Sequence, residues 1–168
     1  LYRQDHLPIR DMSTAEGHAV RALYLYSAMA DLAYETDDEP LKEACRKIFR
    51  NIAGRRMYVT GGVGSTRLGE AFTVDYDLPS ITAYAESCAA IALVFFAQRM
   101  LQLEPDSIYA DVAEKVLYNG FLSSLSLDGC KFFYQNPLEV VPGLCNREVS
   151  MSDISAHLPP PQRSEMFD

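Results

Sequence analysis

The sequence contains no apolar run long enough to cross a membrane. Its best candidate, residues 88–97, has ten residues, whereas a membrane helix needs about 18 or more. Basic residues are also few: 15 Lys and Arg stand against 23 Asp and Glu, and the formal net charge is −8. Nucleic-acid affinity comes largely from clustered basic side chains. We therefore expect neither a membrane nor a nucleic acid as partner, and a neutral or cationic small ligand fits better.

Cysteine is also scarce and irregularly spaced. The chain has four cysteines, Cys45, Cys88, Cys130 and Cys145, and none of them forms a Cys-x-x-Cys pair, so no zinc ribbon or redox motif is marked by spacing alone. We expect reduced thiols and, since no secretory leader is visible, a cytoplasmic protein. The chain opens on Leu1 instead of Met and closes on a proline-marked connector, residues 157–168. We interpret residues 1–168 as a single partial domain of a longer protein.

What is present is an ordinary globular composition of 168 residues, 48% hydrophobic and 23% charged, with helical periodicity. The pattern predicts four helices at about 13–34, 41–53, 80–103 and 107–123, with Gly54 ending the second. Asp128 and Gly129 predict a hairpin turn between two strands. Strongly buried helices alternate with amphipathic ones, which is typical of a helical toroid or solenoid. The predicted fold is mainly α, with a short β-hairpin near the C-terminal third.

A glycine cluster, Gly61, Gly62 and Gly64, lies in the irregular stretch between the second and third helices. Its spacing matches neither a dinucleotide-binding loop nor a P-loop, and no βαβ unit surrounds it. We favour a tight loop that lets backbone approach a ligand or a neighbouring helix.

Five residues have side chains able to carry chemistry, and each also has an ordinary structural interpretation. Glu70 stands among small and apolar neighbours, where a charge is costly unless it is used. Glu86 and Cys88 are two residues apart, roughly 200° around a regular helix, so both can bind one ion only if the helix begins late or is distorted. His18 is equally a capping or core histidine, Cys88 a buried free thiol, and Tyr134 a core aromatic.

These residues lie in four of six short blocks that together resemble one family, glycoside hydrolase family 127, the β-L-arabinofuranosidase-like enzymes. The blocks follow the family's order along nearly the whole chain and carry the sequences GHAVR (17–21), YVTGGVG (58–64), GEAF (69–72), YAESCA (84–89), LYNG (117–120) and FYQNPL (133–138).

The resemblance implies an (α/α)6 six-hairpin barrel whose mouth binds a terminal arabinofuranose, with β-sandwich domains following in full-length members. It implies retaining hydrolysis, in which a zinc-bound cysteine acts as nucleophile and a separate Glu as acid/base. By position, Glu70 corresponds to the acid/base, and Glu86 and Cys88 correspond to two zinc ligands. The flanking barrel helices and the sandwich domains are absent from this chain.

The resemblance further implies sugar contacts for His18 and Tyr134, and it marks Glu114 as another active-site carboxylate. Glu114 has a competing interpretation as an exposed helix residue.

One departure from the family pattern bears on activity. The family's other two zinc cysteines, one of them the nucleophile, are adjacent in a Cys-Cys-Pro-Pro-like motif, and no two cysteines of this chain are adjacent. Cys130 and Cys145 do not match them. We therefore expect an acid/base and half a metal site without a nucleophile, with zinc weak or absent and no activity. The alternative is a non-catalytic α/α-barrel scaffold or carbohydrate-binding module. In either case exposed helix faces favour self-association.

Overall fold

A computed structural model of the chain describes residues 2–140 and the backbone of residues 166–167. Cys145 and nearly all of the predicted connector at 157–168 lie outside the described residues. The described part is mainly helical, as the sequence predicts. Its α-helices are α1 (Ala19–Thr36), α2 (Glu39–Asn51), α3 (Ser87–Leu103) and α4 (Ser107–Lys115). Shorter helical turns are two π-turns, Ile52–Arg56 and Val116–Phe121, and two 3₁₀ turns, Ile9–Asp11 and Leu122–Ser124.

The core lies where α1, α2, α3 and α4 meet, and buried aromatic rings mark its centre. Phe49 of α2 contacts Phe96 of α3 at a ring-centroid distance of 5.4 Å and Tyr109 of α4 at 4.7 Å. Tyr26 of α1 completes the cluster, 5.7 Å from Phe96. Edge and tilted contacts of this kind add stability beyond the burial of area. The third predicted helix buries eight of its 17 residues, while Phe95 and Leu101 stay exposed, so it is less buried than its sequence predicts.

Two helices begin later than the periodicity predicts. α1 starts at Ala19 instead of Ser13, because Gly17 adopts a left-handed φ of 76° and His18 serves as the N-cap. α3 starts at Ser87 instead of at 80–82. Residues 82–86 run in non-helical backbone before it. The sequence prediction of these two boundaries is wrong because hydrogen bonds to distant segments keep the residues before each helix in non-helical backbone.

The other helix boundaries show which local signals were sufficient. α4 begins at Ser107 as predicted, because the Asp106 carboxylate accepts a hydrogen bond from the Ile108 N–H at 3.1 Å. Gly54 does not end the second helix, which continues as a π-turn through Arg56. Gly54 does not adopt the left-handed conformation by which glycine normally terminates a helix.

The glycine cluster is a packing loop, in agreement with the structural interpretation. Gly61 has a φ of 90°, and a Cβ placed there would lie 2.8 Å from the Val116 Cα. A Cβ on Gly62 would lie 3.0 Å from the Ala85 Cβ. The loop therefore lets backbone approach the second π-turn and the segment before α3.

The predicted hairpin is only half correct. The turn is present, since the Gly129 N–H donates to the Ser126 carbonyl at 2.9 Å and Leu125 pairs with Phe132 in an isolated bridge. The two-residue ladder, however, joins β1 (Phe132–Phe133) to β2 (Met166–Phe167), antiparallel. Within the described residues, three cysteines are free, and no helix is both long and apolar enough to cross a membrane.

Candidate active site

Backbone pairing brings Glu70 next to His18, although 52 positions separate them. The Ala19 N–H donates to the Glu70 carbonyl at 2.8 Å, and the Phe72 N–H donates to the Gly17 carbonyl at 2.9 Å. Glu70 itself has a left-handed φ of 49°. A non-glycine residue in this conformation persists only where surrounding contacts hold it, and such residues cluster at functional sites.

The carboxylate of Glu70 has a partner on each oxygen. Oε2 lies 2.9 Å from His18 Nε2, and Oε1 accepts a hydrogen bond from the Tyr84 hydroxyl at 2.7 Å. The side chain nevertheless keeps 38% of its surface exposed. Glu70 is thus held in a fixed orientation while remaining accessible to a ligand.

His18 is a capping histidine, as one of its predicted interpretations has it, and it also contacts Glu70. Its Nδ1 accepts a hydrogen bond from the Arg21 N–H at 3.5 Å and caps α1, which leaves the ring proton on Nε2, facing Glu70. The ring also meets Tyr2 edge-on at 5.9 Å. Capping and contact with the carboxylate therefore occur together.

Glu86 and Cys88 flank the first residue of α3. Glu86 is the N-cap, in extended backbone, and Cys88 is the second residue of the helix. The preceding residue, Ala85, has a φ of 38° and donates its N–H to the Gly64 carbonyl at 2.9 Å. The late start of α3 meets the condition under which both side chains can face one ion.

The Glu86 carboxylate is buried without a partner. The residue is 1% exposed, and neither oxygen makes a hydrogen bond of normal geometry within the described residues. Burial and, less strongly, the charge of Glu70 raise its pKa to about 7, against the opposing effect of the Tyr134 hydroxyl. A buried carboxylate in this state is costly unless a ligand or ion completes its coordination.

Tyr134 joins this group from the segment after the hairpin turn. Its carbonyl accepts a hydrogen bond from the Ser87 N–H at 2.9 Å, and its ring meets that of Tyr84 edge-on at 6.1 Å. Burial raises the pKa of the Cys88 thiol, while the Tyr134 hydroxyl lowers it. Tyr134 therefore lies beside both predicted metal ligands.

The structure thus brings together five of the six predicted site residues. Glu114 is exposed on α4, and within residues 2–140 it has no hydrogen bond or ion pair to the other five. Sequence reasoning assigned no role to Tyr84, which contacts Glu70 directly. Tyr84 lies two residues before Glu86, and this spacing indicates a shared site only if residues 82–86 are non-helical.

Glu86 and Cys88 carry neighbouring donor groups that suit a metal ion. A thiol and a carboxylate are suitable zinc donors, and no hydrogen bond of normal geometry from the described residues occupies the Glu86 oxygens. Nowhere in the described residues do three His, Cys, Asp or Glu side chains cluster closely enough to hold a metal ion. Glu86 and Cys88 fit as two ligands of a site that needs others.

Comparison with known proteins identifies the relatives of this chain. The family model for the β-L-arabinofuranosidase GH127 catalytic domain matches residues 1–156. A non-reducing end β-L-arabinofuranosidase of Bifidobacterium longum is 50% identical over 146 residues, which are 86% of this chain and 22% of that protein.

Two solved structures agree. The GH127 β-L-arabinofuranosidase Ara127N of Geobacillus stearothermophilus T6 is 60% identical with a TM-score of 0.85, covering 87% of this chain and 23% of that one. A GH127 β-arabinofuranosidase is 49% identical with a TM-score of 0.79, covering 82% and 22%. The chain spans less than a quarter of the length of each of these relatives.

Proposed function

This chain belongs to glycoside hydrolase family 127, and on that premise we propose that residues 1–168 supply the acid/base and part of the metal site of a retaining β-L-arabinofuranosidase. The observation that carries the proposal is the pair of carboxylates, Glu70 and Glu86, in contrasting environments. One is oriented by two donors and open to a ligand, and the other is buried without a partner. Such divergent environments are typical of carboxylates with distinct catalytic roles.

Glu70 is the proposed acid/base. In the first step it gives its proton to the oxygen of the leaving group, and in the second it takes a proton from the attacking water. The carboxylate alternates between two protonation states while its heavy atoms stay in place. The contacts from His18 and Tyr84 support this role, since they restrict rotation of the side chain without covering it.

Glu86 and Cys88 are the proposed zinc ligands of this chain. Zinc bound here would hold the Cys88 sulfur as a thiolate and give the buried Glu86 carboxylate an opposite charge. Two ligands are half of a tetrahedral set, and the family pattern expects the others from an adjacent cysteine pair that this sequence lacks. We propose that residues 1–168 bind zinc weakly and do not turn over substrate by themselves.

The substrate proposed for the site is a terminal arabinofuranose-like sugar. His18 and Tyr134 are the proposed sugar contacts in the described group, and Glu114 is proposed as a further active-site carboxylate. The (α/α)6 toroid belongs to the same proposal: the four helices form part of it, and the helix faces left exposed would favour self-association of the isolated chain.

The test places this chain's residues in an active context. In a chimera, residues 2–140 replace the matching segment of the Geobacillus enzyme, and hydrolysis of an aryl β-L-arabinofuranoside is measured. Glu70→Gln should lower the rate by about 10²–10⁴-fold, the usual contribution of an acid/base. Glu35→Gln, on the exposed surface of α1, is the matched control and should leave the rate unchanged.

Full activity of the Glu70→Gln chimera would remove Glu70 from the mechanism. The isolated chain, assayed with zinc, is expected to be inactive, and robust turnover that survives Cys88→Ala would contradict the missing nucleophile. A chain that binds arabinose while the chimera stays inactive would favour the carbohydrate-binding alternative, which the lack of adjacent cysteines also favours.

A further inference from the structure

We propose that Tyr84 is the positioning residue of Glu70, holding the carboxyl group through a hydrogen bond that Tyr84 donates to Oε1 in both protonation states. The inference rests on the proposed function only in giving Glu70 an acid/base role, since the contact itself is independent of that role. The Tyr84 hydroxyl donates to Glu70 Oε1 at 2.7 Å, within the normal range for a strong O–H···O bond to a carboxylate.

The ring of Tyr84 is fixed from several sides. It is buried and meets the ring of Tyr134 edge-on at 6.1 Å. The backbone carbonyl of Tyr84 accepts a hydrogen bond from the Asn136 N–H at 3.2 Å, and Asn136 Nδ2 donates to the carbonyl of Ala85 at 3.1 Å. A phenol held in this way presents its hydroxyl at one point, which gives Glu70 a rigid reference.

The two contacts on Glu70 differ in chemistry. Since His18 Nδ1 accepts the capping hydrogen bond, Nε2 carries the ring proton and can only donate. A tyrosine hydroxyl can also accept, but Tyr84 donates to Glu70 Oε1 in both protonation states. When Glu70 is a carboxylic acid, its proton is on Oε2, where it stays available to the leaving oxygen.

Proton accounting in the proposed reaction leaves Tyr84 unchanged. Glu70 loses one proton to the leaving oxygen and gains one from water, while Tyr84 keeps its own proton throughout. Its contribution is to keep Oε1 in the same place in both states, so that little reorganisation accompanies either transfer.

Tyr84 also sets the spacing between the two parts of the site. It contacts Glu70 from the same non-helical segment that ends in Glu86. Residues 84–86 thus provide a contact to one carboxylate and carry the other, so a shift of this segment would move both.

The test uses the chain itself, labelled with ¹³C-glutamate and observed by NMR at one pH. Glu70→Gln identifies the Glu70 carboxyl signal. In Tyr84→Phe this signal should shift, and the order parameter of the Glu70 side chain should fall towards the range below about 0.6 that marks mobile groups. Tyr109→Phe is the matched control because its hydroxyl donates to another carboxylate, that of Glu104. It should move the Glu104 signal and leave Glu70 unchanged.

An unchanged Glu70 signal and order parameter in folded Tyr84→Phe would overturn the inference, as would an equal response to Tyr109→Phe. If Tyr84→Phe does not fold, the reciprocal measurement decides: with ¹³Cζ-tyrosine, Glu70→Gln should shift the Tyr84 signal but not that of Tyr109, and no shift at Tyr84 would overturn it. Loss of chimera activity in Glu70→Gln is a separate result. The proposed function can therefore fail while the Tyr84 contact stands, and the reverse also holds.

Discussion

Arg56 and Glu86 are both almost fully buried, yet among the described residues Arg56 meets two carboxylates whereas Glu86 meets no cation. Arg56 Nη2 lies 3.1 Å from Glu16, and Nε lies 2.7 Å from Asp75. Nη1 donates to the Ala15 carbonyl, and Asn51 donates to the same Asp75 carboxylate at 2.9 Å. Each polar group in this cluster therefore has a partner of opposite charge or a hydrogen bond.

Within residues 2–140 the Glu86 carboxylate has no cation beside it and no hydrogen bond of normal geometry, although it is at least as deeply buried. A buried charge with partners, like that of Arg56, holds distant segments of the chain together. A buried charge without partners, like that of Glu86, destabilises the fold unless a ligand supplies the missing contacts. The contrast separates a buried charge that the described residues satisfy from one that they do not.

The largest expected effect comes from breaking the satisfied cluster. Arg56→Met leaves Glu16 and Asp75 facing an apolar side chain, and it should lower the free energy of unfolding by about 3 kcal/mol. Urea denaturation measures the change. Arg10→Met removes an exposed ion pair to Asp38 and should leave the urea midpoint near that of the unsubstituted chain. Equal losses in the two variants would mean that burial does not distinguish these pairs.

Removing the charge of Glu86 should, by contrast, raise the free energy of unfolding. The folded metal-free protein holds the Glu86 proton more tightly than the unfolded chain does, so stability falls as the pH rises from 4.5 to about 7. Glu86→Gln removes this loss and should be more stable by about 3 kcal/mol at pH 8, with little difference at pH 4. Thermal unfolding at both pH values tests this, and a destabilised Glu86→Gln at pH 8 would show that the carboxylate has a partner after all.

Asp75 should respond to pH in the reverse direction. The hydrogen bonds from Arg55, Arg56 and Asn51 outweigh desolvation and lower the pKa of Asp75 to about 2. Its contribution to stability is present above pH 3.8 and is lost as the pH falls towards 2. Because this carboxylate is partly exposed, we expect only about 1 kcal/mol. In acid titrations monitored by circular dichroism, Asp75→Asn should lose less stability than the unsubstituted chain over this interval.

The smallest change in stability should come from adding zinc as a partner for Glu86. Zinc at about the concentration of its dissociation constant should raise the free energy of unfolding by about 0.4 kcal/mol through mass action. Differential scanning fluorimetry with and without zinc measures the shift. The shift should vanish in Glu86→Gln and persist in Asp75→Asn, and an equal shift in Glu86→Gln would place the bound metal elsewhere.

Local signals in the sequence were sufficient for some elements and insufficient for others. α4 was predicted from its cap because Asp106 satisfies the helix N-terminus locally. The starts of α1 and α3 were missed, since residues near His18 and Ala85 bond to Glu70 and Gly64, which are distant in sequence. Gly54 was misjudged because a glycine ends a helix through its conformation, which composition does not reveal.

The same distinction between local signals and long-range contacts applies to the candidate site. Glu70, His18, Glu86, Cys88 and Tyr134 were identified from motif blocks, and the structure brings these five together. The contact of Tyr84 with Glu70 was not foreseen, because the predicted helix includes residues 80–86 and would point the Tyr84 side chain in another direction.

The sequence by itself determined the family, the mainly helical class and the identity of the residues with reactive side chains, because these depend on residue type, order and periodicity. Only the tertiary structure decided that Glu70 is held on both oxygens, that buried Arg56 meets two carboxylates, and that buried Glu86 meets no cation among the described residues. Burial and hydrogen-bond partners depend on which segments meet in space, and here they meet through backbone contacts that no local pattern encodes.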